Sequence, residues 1–266
     1  MKNCTSILVE SNNGYTRVTL NRPDRQNAFD AEMVEELREA FYTLGQDHSV
    51  RAVVLTAIGS TFCSGADLRW MKPDRAVFPP EAQRDAECVL EMFRTIDACS
   101  CPVIGRIQGA AYGGGIGLIA VCDVAVAAAD TTFAFSEVRL GLVPAVIAPF
   151  VLAKTGESFA RRFCLTGESF SASMARDSGL IHDVVEPVLL DARVETLVEQ
   201  IAHRAPQAVR DTKALLRRLH HLSNEESWKA SVAWNVRARI SSEAQEGLRA
   251  FREHQSPNWT MSAGNK

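Results

Sequence analysis

The chain lacks the cysteine pattern of a metal-binding or disulfide-rich protein. Its seven cysteines contain no C-x-x-C pair, and the C-x-C at Cys99 and Cys101 has no second pair that would complete a zinc site. An odd number of scattered cysteines is typical of reduced thiols that pack as small apolar side chains. We therefore expect no metal site and a reducing, cytoplasmic location.

Long apolar runs and an excess of one charge are also missing. The longest apolar run, 140–153, is too short to span a bilayer and contains Pro144 and Pro149. The N-terminus has no basic segment followed by an apolar run, so we expect no signal peptide. The net charge of −3 creates no field that would attract nucleic acid or an anionic membrane. The expected partners are therefore neither nucleic acid nor membrane.

Three nucleotide-binding and hydrolase motifs are absent as well. No P-loop motif occurs, and the glycine cluster at 113–117 breaks the dinucleotide-binding spacing because the third glycine would fall at Leu118 or Ala120. A serine hydrolase is disfavoured since no G-x-S-x-G is found. The neighbouring His220 and His221 point apart on a predicted helix, which disfavours a metal site there.

Strand-like and helix-like patterns alternate through the first half of the chain. Segments 7–9 and 17–20 predict a hairpin, and Asp30 is placed to cap a helix with apolar residues at helical spacing. Residues 69–85 contain three prolines and predict a surface loop. Further strands are predicted at 52–58, 102–107, 124–128 and 132–135, and helices at 85–98, 189–201, 206–221, 225–240 and 242–251. This order predicts an α/β core followed by a helical extension.

Two glycine-containing loops, 62–67 and 113–117, each follow an apolar strand. Glycine allows close approach of the main chain to a ligand, and the start of a helix offers unpaired N–H groups. Two such loops that converge on one point would bind an oxyanion. Either loop alone is weak evidence, because glycines after a strand more often form just a tight turn.

Ordered motifs over roughly residues 5–260 resemble the crotonase (enoyl-CoA hydratase/isomerase) family. They are NRPDRQNAF at 21–29, CSGAD at 63–67, QGAAYGGG at 108–115, CD at 122–123, FSEVRLGLVP at 135–144, LTG at 165–167, ARDSGL at 175–180, EGLRAF at 246–251 and PNW at 257–259. The resemblance implies a crotonase-like spiral of ββα units over 1–195 and a C-terminal helical trimerisation region over 196–266. It also implies a homotrimer or a dimer of trimers.

The same resemblance implies a coenzyme A thioester as substrate and no separate cofactor. Carried over to this chain, the backbone N–H groups of Ala66 and Gly114 would form the oxyanion hole. Arg25, Ala28 and Asp67 match positions that contact the nucleotide of coenzyme A.

The family's two hydratase carboxylates correspond to positions 117 and 137, which are Gly117 and Glu137 here. Apolar neighbours of Glu137 predict a raised pKa that suits a proton shuttle. One carboxylate serves either hydration or movement of a double bond from C3 to C2, so a hydratase and an isomerase both remain open. A non-catalytic acyl-CoA-binding scaffold is the third alternative.

Residues 136–151, together with Gly117 and the DLRWM segment at 67–71, resemble a bacterial branch that acts on branched glutaconyl-CoA compounds. That branch contains 3-methylglutaconyl-CoA hydratases of leucine breakdown and isohexenylglutaconyl-CoA hydratases of acyclic-terpene breakdown. Such substrates carry a carboxylate, which a second glutamate would repel and Gly117 would accommodate. The candidate pocket residues are Gly117, Arg69, Trp70, Met71 and Phe78, with Arg69, Lys72 or Arg106 as partners of the carboxylate.

Overall fold

The computed structural model describes residues 4–12, 14–70, 79–220 and 222–260. Nine strands lie in this part of the chain: β1 Ile7–Asn12, β2 Tyr15–Leu20, β3 Ala52–Ala57, β4 Val103–Ile107, β5 Ala110–Tyr112, β6 Val124–Ala128, β7 Thr132–Ala134, β8 Ser169–Ser171 and β9 Asp183–Val185. Its α-helices are α1 Ala31–Gln46, α2 Pro79–Asp97, α3 Gly114–Ala120, α4 Ala148–Thr166, α5 Ala172–Asp177, α6 Leu190–Ala202, α7 Pro206–Leu219, α8 Asn224–Arg239 and α9 Ser242–Arg252.

Two sheets organise the first two thirds of the chain. The larger sheet has the order β1-β2-β3-β4-β6-β9, and the smaller has the order β5-β7-β8. β1 pairs with β2 in antiparallel fashion, as the hairpin prediction requires, and the other neighbours in the larger sheet are parallel. β4 and β6 enter the larger sheet, and the strands that follow them, β5 and β7, enter the smaller one. The segments that follow β5 and β7 in the smaller sheet therefore lie close to each other.

The local patterns that predicted β3 and α1 are confirmed. All six residues of β3 are buried, as expected for a parallel strand covered on both faces. The Asp30 side chain caps α1 by accepting a hydrogen bond from the Met33 N–H at 3.1 Å. The apolar positions of α1 that repeat at helical spacing are all buried, and they pack against the main core.

Three predictions about organisation differ from the structure. The loop predicted at 69–85 is wrong over 79–85, because α2 begins at Pro79; residues 71–78 lie outside the described part. β5, β8 and β9 were missed, since three-residue strands are too short to show a period. The predicted boundary after residue 195 falls inside α6, which packs on the larger sheet through Leu190, Val194 and Val198. The division into a core and a trimerisation region otherwise stays a prediction.

Candidate active site

A single large cavity of about 1130 Å³ gathers most of the predicted site residues. It opens between the loop after β3, the start of α3, the segment after β7 and one face of α2. The described residues that line it include the predicted Arg25, Ala28, Ala66, Asp67, Arg69, Trp70, Gly114 and Glu137. Segments that are far apart in the sequence therefore form one site.

Ala66 is held by a short parallel bridge to Phe29. The Phe29 N–H donates to the Gly65 carbonyl at 2.9 Å, and the Asp67 N–H donates to the Phe29 carbonyl at 2.8 Å. In a parallel ladder the residue opposite such a pair directs its own N–H and C=O away from the partner strand. The Ala66 amide therefore points away from Phe29, and no described residue accepts a hydrogen bond from it.

Gly114 is the first residue of α3, so its N–H has no acceptor within the helix. No described residue outside the helix accepts from it either. A Cβ atom added at Gly65 would lie 3.1 Å from the Gly114 nitrogen, and one added at Gly114 would lie 3.5 Å from the Gly65 Cα. The loop that ends in Ala66 and the start of α3 are thus in van der Waals contact, which requires glycine at both positions. Two unpaired amides consequently lie beside the same cavity.

Glu137 begins a 3-10 helix, Glu137–Leu140, directly after β7. Its carboxylate lies against the main chain of Gly113, because a Cβ added there would be 2.9 Å from Oε1 and 3.5 Å from Oε2. Gly113 also has a φ of +48°. A side chain at this position is therefore disfavoured both by the contact with Glu137 and by the backbone conformation. Oε2 of Glu137 is buried and has no hydrogen-bond partner. Burial raises the pKa of Glu137, and the hydrogen bond from its own amide lowers it by less.

This arrangement combines two main-chain donors with one largely desolvated carboxylate. The donors are suited to negative charge on a carbonyl oxygen, and the carboxylate is suited to carrying a proton. In the described part of the chain, no group of three or more His, Cys, Asp or Glu side chains is arranged to hold a metal ion. The chemistry available from these residues is therefore polarisation of a carbonyl group with proton transfer beside it.

Comparison with known proteins agrees with this chemistry. The family model described as enoyl-CoA hydratase/isomerase matches residues 10–262. The chain belongs to this family. It is 33% identical over 240 residues to the enoyl-CoA hydratase AKT6-1 of Alternaria alternata, covering 90% of this chain and 78% of that protein. It is 31% identical over 255 residues to the (E)-benzylidenesuccinyl-CoA hydratase of Thauera aromatica, covering 94% and 97% of the two chains.

Solved structures at 34% identity have the same fold. The structure of Pseudomonas aeruginosa AtuE superposes with a TM-score of 0.93 at 34% identity. The match covers 97% of this chain and 100% of AtuE. The crotonase-like fold predicted from the motifs is therefore confirmed, and the chain is an enzyme of this family. The alternative of a non-catalytic scaffold is set aside.

Membership in the enoyl-CoA hydratase/isomerase family makes the position of Gly117 informative, and here the sequence-based interpretation is wrong. Gly117 does not line the cavity. A Cβ at this position would lie 2.4 Å from Cγ2 of Ile147 and 2.8 Å from Cζ of Phe93, both of which line the cavity. The space that was assigned to a substrate carboxylate is filled by an apolar wall.

Substitution of Gly117 by glutamate is accordingly expected to destabilise the fold by more than about 1–3 kcal/mol, the usual cost of overpacking, because a buried charge is added to the clash. Thermal unfolding should show a Tm several degrees below that of the wild type. Adding Ile147→Ala, which removes the nearest contact, should recover part of the loss. A Gly117→Glu variant with the wild-type Tm would contradict this packing.

Arg106 also differs from its predicted role. Its guanidinium binds the carboxylate of Asp191 at 2.6 and 2.9 Å and the Gln108 side chain at 3.0 Å. It is not among the residues that line the cavity. Arg106 therefore fixes α6 to β4, and it is not available to a substrate carboxylate.

The other predicted pocket residues divide into two groups. Arg69 and Trp70 line the cavity, and Trp70 is partly buried against the core. Met71, Lys72 and Phe78 lie outside the described residues. Arg25 also lines the cavity, with Nε 3.4 Å from a carboxylate oxygen of Asp24.

Several lining residues were not predicted individually. They are Phe29, Val89, Phe93, Tyr112, Leu140, Val143 and Ile147. Leu140, Val143 and Ile147 fall within the motif-bearing segment 136–151, whose resemblance to relatives was the available signal. Val89 and Phe93 lie within the helix predicted at 85–98, and a helical pattern does not say whether its apolar face meets a core or a cavity.

Proposed function

We propose that this enoyl-CoA hydratase adds water across the C2–C3 double bond of a branched, carboxylated 2-enoyl-CoA, such as isohexenylglutaconyl-CoA or 3-methylglutaconyl-CoA. Such a reaction would serve acyclic-terpene or leucine breakdown in the cytoplasm. The observation that carries the hydratase chemistry is the convergence of the free Ala66 and Gly114 amides with the Glu137 carboxylate on one cavity.

In the proposed mechanism the thioester oxygen accepts hydrogen bonds from the Ala66 and Gly114 amides. These bonds stabilise the enolate oxygen by several kcal/mol as negative charge develops. Glu137 takes a proton from a water molecule while the water oxygen forms its bond to C3. The protonated Glu137 then delivers a proton to C2, on the same face, and the carbonyl is restored as the enolate collapses. The carboxylate is ionised again at the end of the cycle.

Coenzyme A is part of the substrate in this proposal, and no separate cofactor takes part. Arg25, the backbone near Ala28, and Asp67 are the proposed contacts of its nucleotide. Their position on the cavity that also holds the proposed reacting centre supports the assignment. Asp67 is paired with Arg22 at 3.3 Å, and its main chain is bonded to Phe29 and Trp70, so the nucleotide would share the Asp67 oxygens with these partners.

An apolar wall and Arg69 support a substrate with both a hydrocarbon tail and a carboxylate. The wall consists of Val89, Phe93, Leu140, Val143, Val146 and Ile147. Among the described lining residues, the arginines are Arg25, which is proposed for the nucleotide, and Arg69, which adjoins Trp70. The Thauera aromatica relative is named for a substituted succinyl thioester, and a succinyl thioester carries a second carboxyl group.

We expect kcat/KM for a carboxylated, branched enoyl-CoA to exceed that for crotonyl-CoA. We also expect Arg69→Gln to lower kcat/KM at least about 10-fold for the carboxylated substrate alone, since the loss of one charged hydrogen bond costs about 1.5–3 kcal/mol. Arg94→Gln on the exposed face of α2 is the matched control. A wild type that prefers crotonyl-CoA would contradict the proposed substrate class. Comparison of the two glutaconyl thioesters then identifies the tail.

A Δ3,Δ2-enoyl-CoA isomerase is the second candidate, because one carboxylate can carry a proton between C4 and C2 without water. Incubation of a 2-enoyl-CoA in heavy-oxygen water separates the two reactions. A hydratase places the label on C3, whereas an isomerase leaves the product unlabelled. Labelled 3-hydroxyacyl-CoA is the expected product.

The proposed partner is a second and third copy of the chain, as a homotrimer or a dimer of trimers. An exposed stripe on α8 supports self-association: Trp228, Val232, Val236 and Ile240 follow one another at four-residue spacing, and each is more than half exposed. Contiguous exposed apolar side chains of this kind mark protein interfaces.

No helix among the described residues has the length and apolar character needed to cross a bilayer.

A further inference from the structure

Arg22 lies outside the lining of the cavity, yet its side chain joins the two segments that hold Ala66. Nη1 donates to the carbonyl oxygen of Ala28. Nη2 lies 2.8 Å from Oδ2 of Asp30 and 3.3 Å from Oδ2 of Asp67. The Arg22 side chain is only 17% exposed, so these contacts are shielded from water far more than an ordinary surface ion pair.

The main chain of Arg22, from which this side chain projects, is also held in place. The Arg22 N–H donates to Oδ1 of Asn27 at 2.9 Å, and Nδ2 of Asn27 donates to the carbonyl oxygens of Ile58 and Thr61 at 2.8 Å each. Asn27 is completely buried and has a φ of +53°. The guanidinium is therefore held on a turn that is anchored to the end of β3.

Asp67 is the link between Arg22 and the proposed oxyanion hole, since it follows Ala66 directly. Its Oδ1 accepts a hydrogen bond from the Arg69 N–H at 3.0 Å, and its Oδ2 faces Arg22. An Asp67 carboxylate without a partner would oppose the negative charge that develops one residue away. Arg22 offsets that charge, and it also fixes the Phe29–Ala66 bridge from both sides through Ala28 and Asp67.

We propose that Arg22 is a positioning residue that orients the Ala66 amide and neutralises Asp67, without contacting the substrate. The inference rests on the proposed function, because it presupposes that the Ala66 amide binds the thioester oxygen. Arg22 belongs to the NRP segment but does not itself line the cavity, and this proposal gives it a role in catalysis.

The test uses 4-(dimethylamino)cinnamoyl-CoA, a chromophoric thioester whose absorption shifts to longer wavelength when its carbonyl group is polarised. Wild type, Arg22→Gln and Arg106→Gln are compared at saturating protein. Arg106 is the matched control, because its side chain is also 17% exposed and binds one aspartate through two hydrogen bonds away from the cavity.

We expect wild type and Arg106→Gln to show the full red shift and Arg22→Gln to lose at least half of it. In turnover, Arg22→Gln should lower kcat by about 10- to 100-fold, less than the loss of a whole oxyanion donor, and change KM by less than about threefold. A purely structural role would instead lower the Tm and the active fraction while the folded remainder kept its red shift.

The outcomes separate this inference from the proposed function. A wild type without a red shift would show that the proposed oxyanion hole is wrong. A red shift and kcat retained by folded Arg22→Gln would overturn the role of Arg22 alone. If Arg22→Gln does not fold, Arg22→Lys keeps a positive charge near Asp67 but cannot bind Ala28 and the two aspartates together; a smaller red shift is expected, and an unchanged one overturns the proposal.

Discussion

Replacement of Glu137 by glutamine is expected to lower kcat by about 10²- to 10⁴-fold, the usual contribution of a positioned acid or base. Glutamine has nearly the same shape but cannot exchange a proton between water and C2. Because the proposed mechanism assigns substrate binding to the main-chain amides and the cavity wall, KM should change little. The loss should therefore appear in kcat and in kcat/KM equally.

Steady-state kinetics on Glu137→Gln and on Glu168→Gln measure this effect against a control. Glu168 is a partly exposed glutamate paired with Arg162 at 2.8 Å, and it lies outside the cavity lining. The control should keep wild-type kinetics. Equal, small losses in both variants would show that Glu137 is not the group that moves the proton.

The pH dependence follows from the raised pKa of Glu137, which is caused by burial. As a base Glu137 must be ionised, so kcat/KM should fall as the pH decreases through a pKa above the ordinary glutamate value. The same shift opposes folding at higher pH, since the folded state disfavours the charged form. The free energy of unfolding is lowered above the folded-state pKa and unaffected below the ordinary value. Glu137→Gln should therefore have a higher Tm than wild type at pH 7 and an equal one at low pH.

Replacement of Ala66 by proline is expected to lower kcat by about 10²- to 10³-fold, the cost of removing one oxyanion donor. The bridge to Phe29 uses the Gly65 carbonyl and the Asp67 N–H, so proline at 66 removes an N–H that the fold itself does not use. Gly65 precedes it, and glycine tolerates the restriction that proline imposes on the preceding residue. The catalytic loss should thus exceed the loss of stability.

Ala66→Gly serves as the companion variant because it keeps the N–H and removes only a methyl group. Its kcat should stay within about threefold of wild type, since the added flexibility of glycine should cost much less transition-state stabilisation than the loss of one oxyanion donor. Kinetics and thermal unfolding of both variants are required. Retention of wild-type kcat by a folded Ala66→Pro enzyme would remove the Ala66 amide from the mechanism.

Local sequence patterns were sufficient where one residue type decides the local structure. Asp30 predicts the start of α1 because a carboxylate satisfies the free N–H of Met33, and the apolar spacing of α1 predicts its buried face. The start of α2 was missed, since Pro79 and Pro80 were interpreted as loop residues although proline also suits the first turn of a helix.

The site was predicted from motifs. The errors in that prediction concern Gly117 and Arg106, and both arise from contacts between distant segments. Ala66, Gly114 and Glu137 reach one cavity, as the motifs predict. Nothing in the local sequence shows that Ile147 and Phe93 fill the space beside Gly117, because both come from distant segments. The pairing of Arg106 with Asp191 spans 85 residues and is hidden in the same way.

A crystal structure of Glu137→Gln with a bound carboxylated 2-enoyl-CoA would show how the substrate lies in the cavity. We expect a thioester oxygen about 2.7–3.1 Å from the nitrogens of both Ala66 and Gly114. We also expect the residue 137 side chain beside C2 and C3. A thioester oxygen bound elsewhere, or a residue 137 side chain turned away from the double bond, would contradict the proposed mechanism.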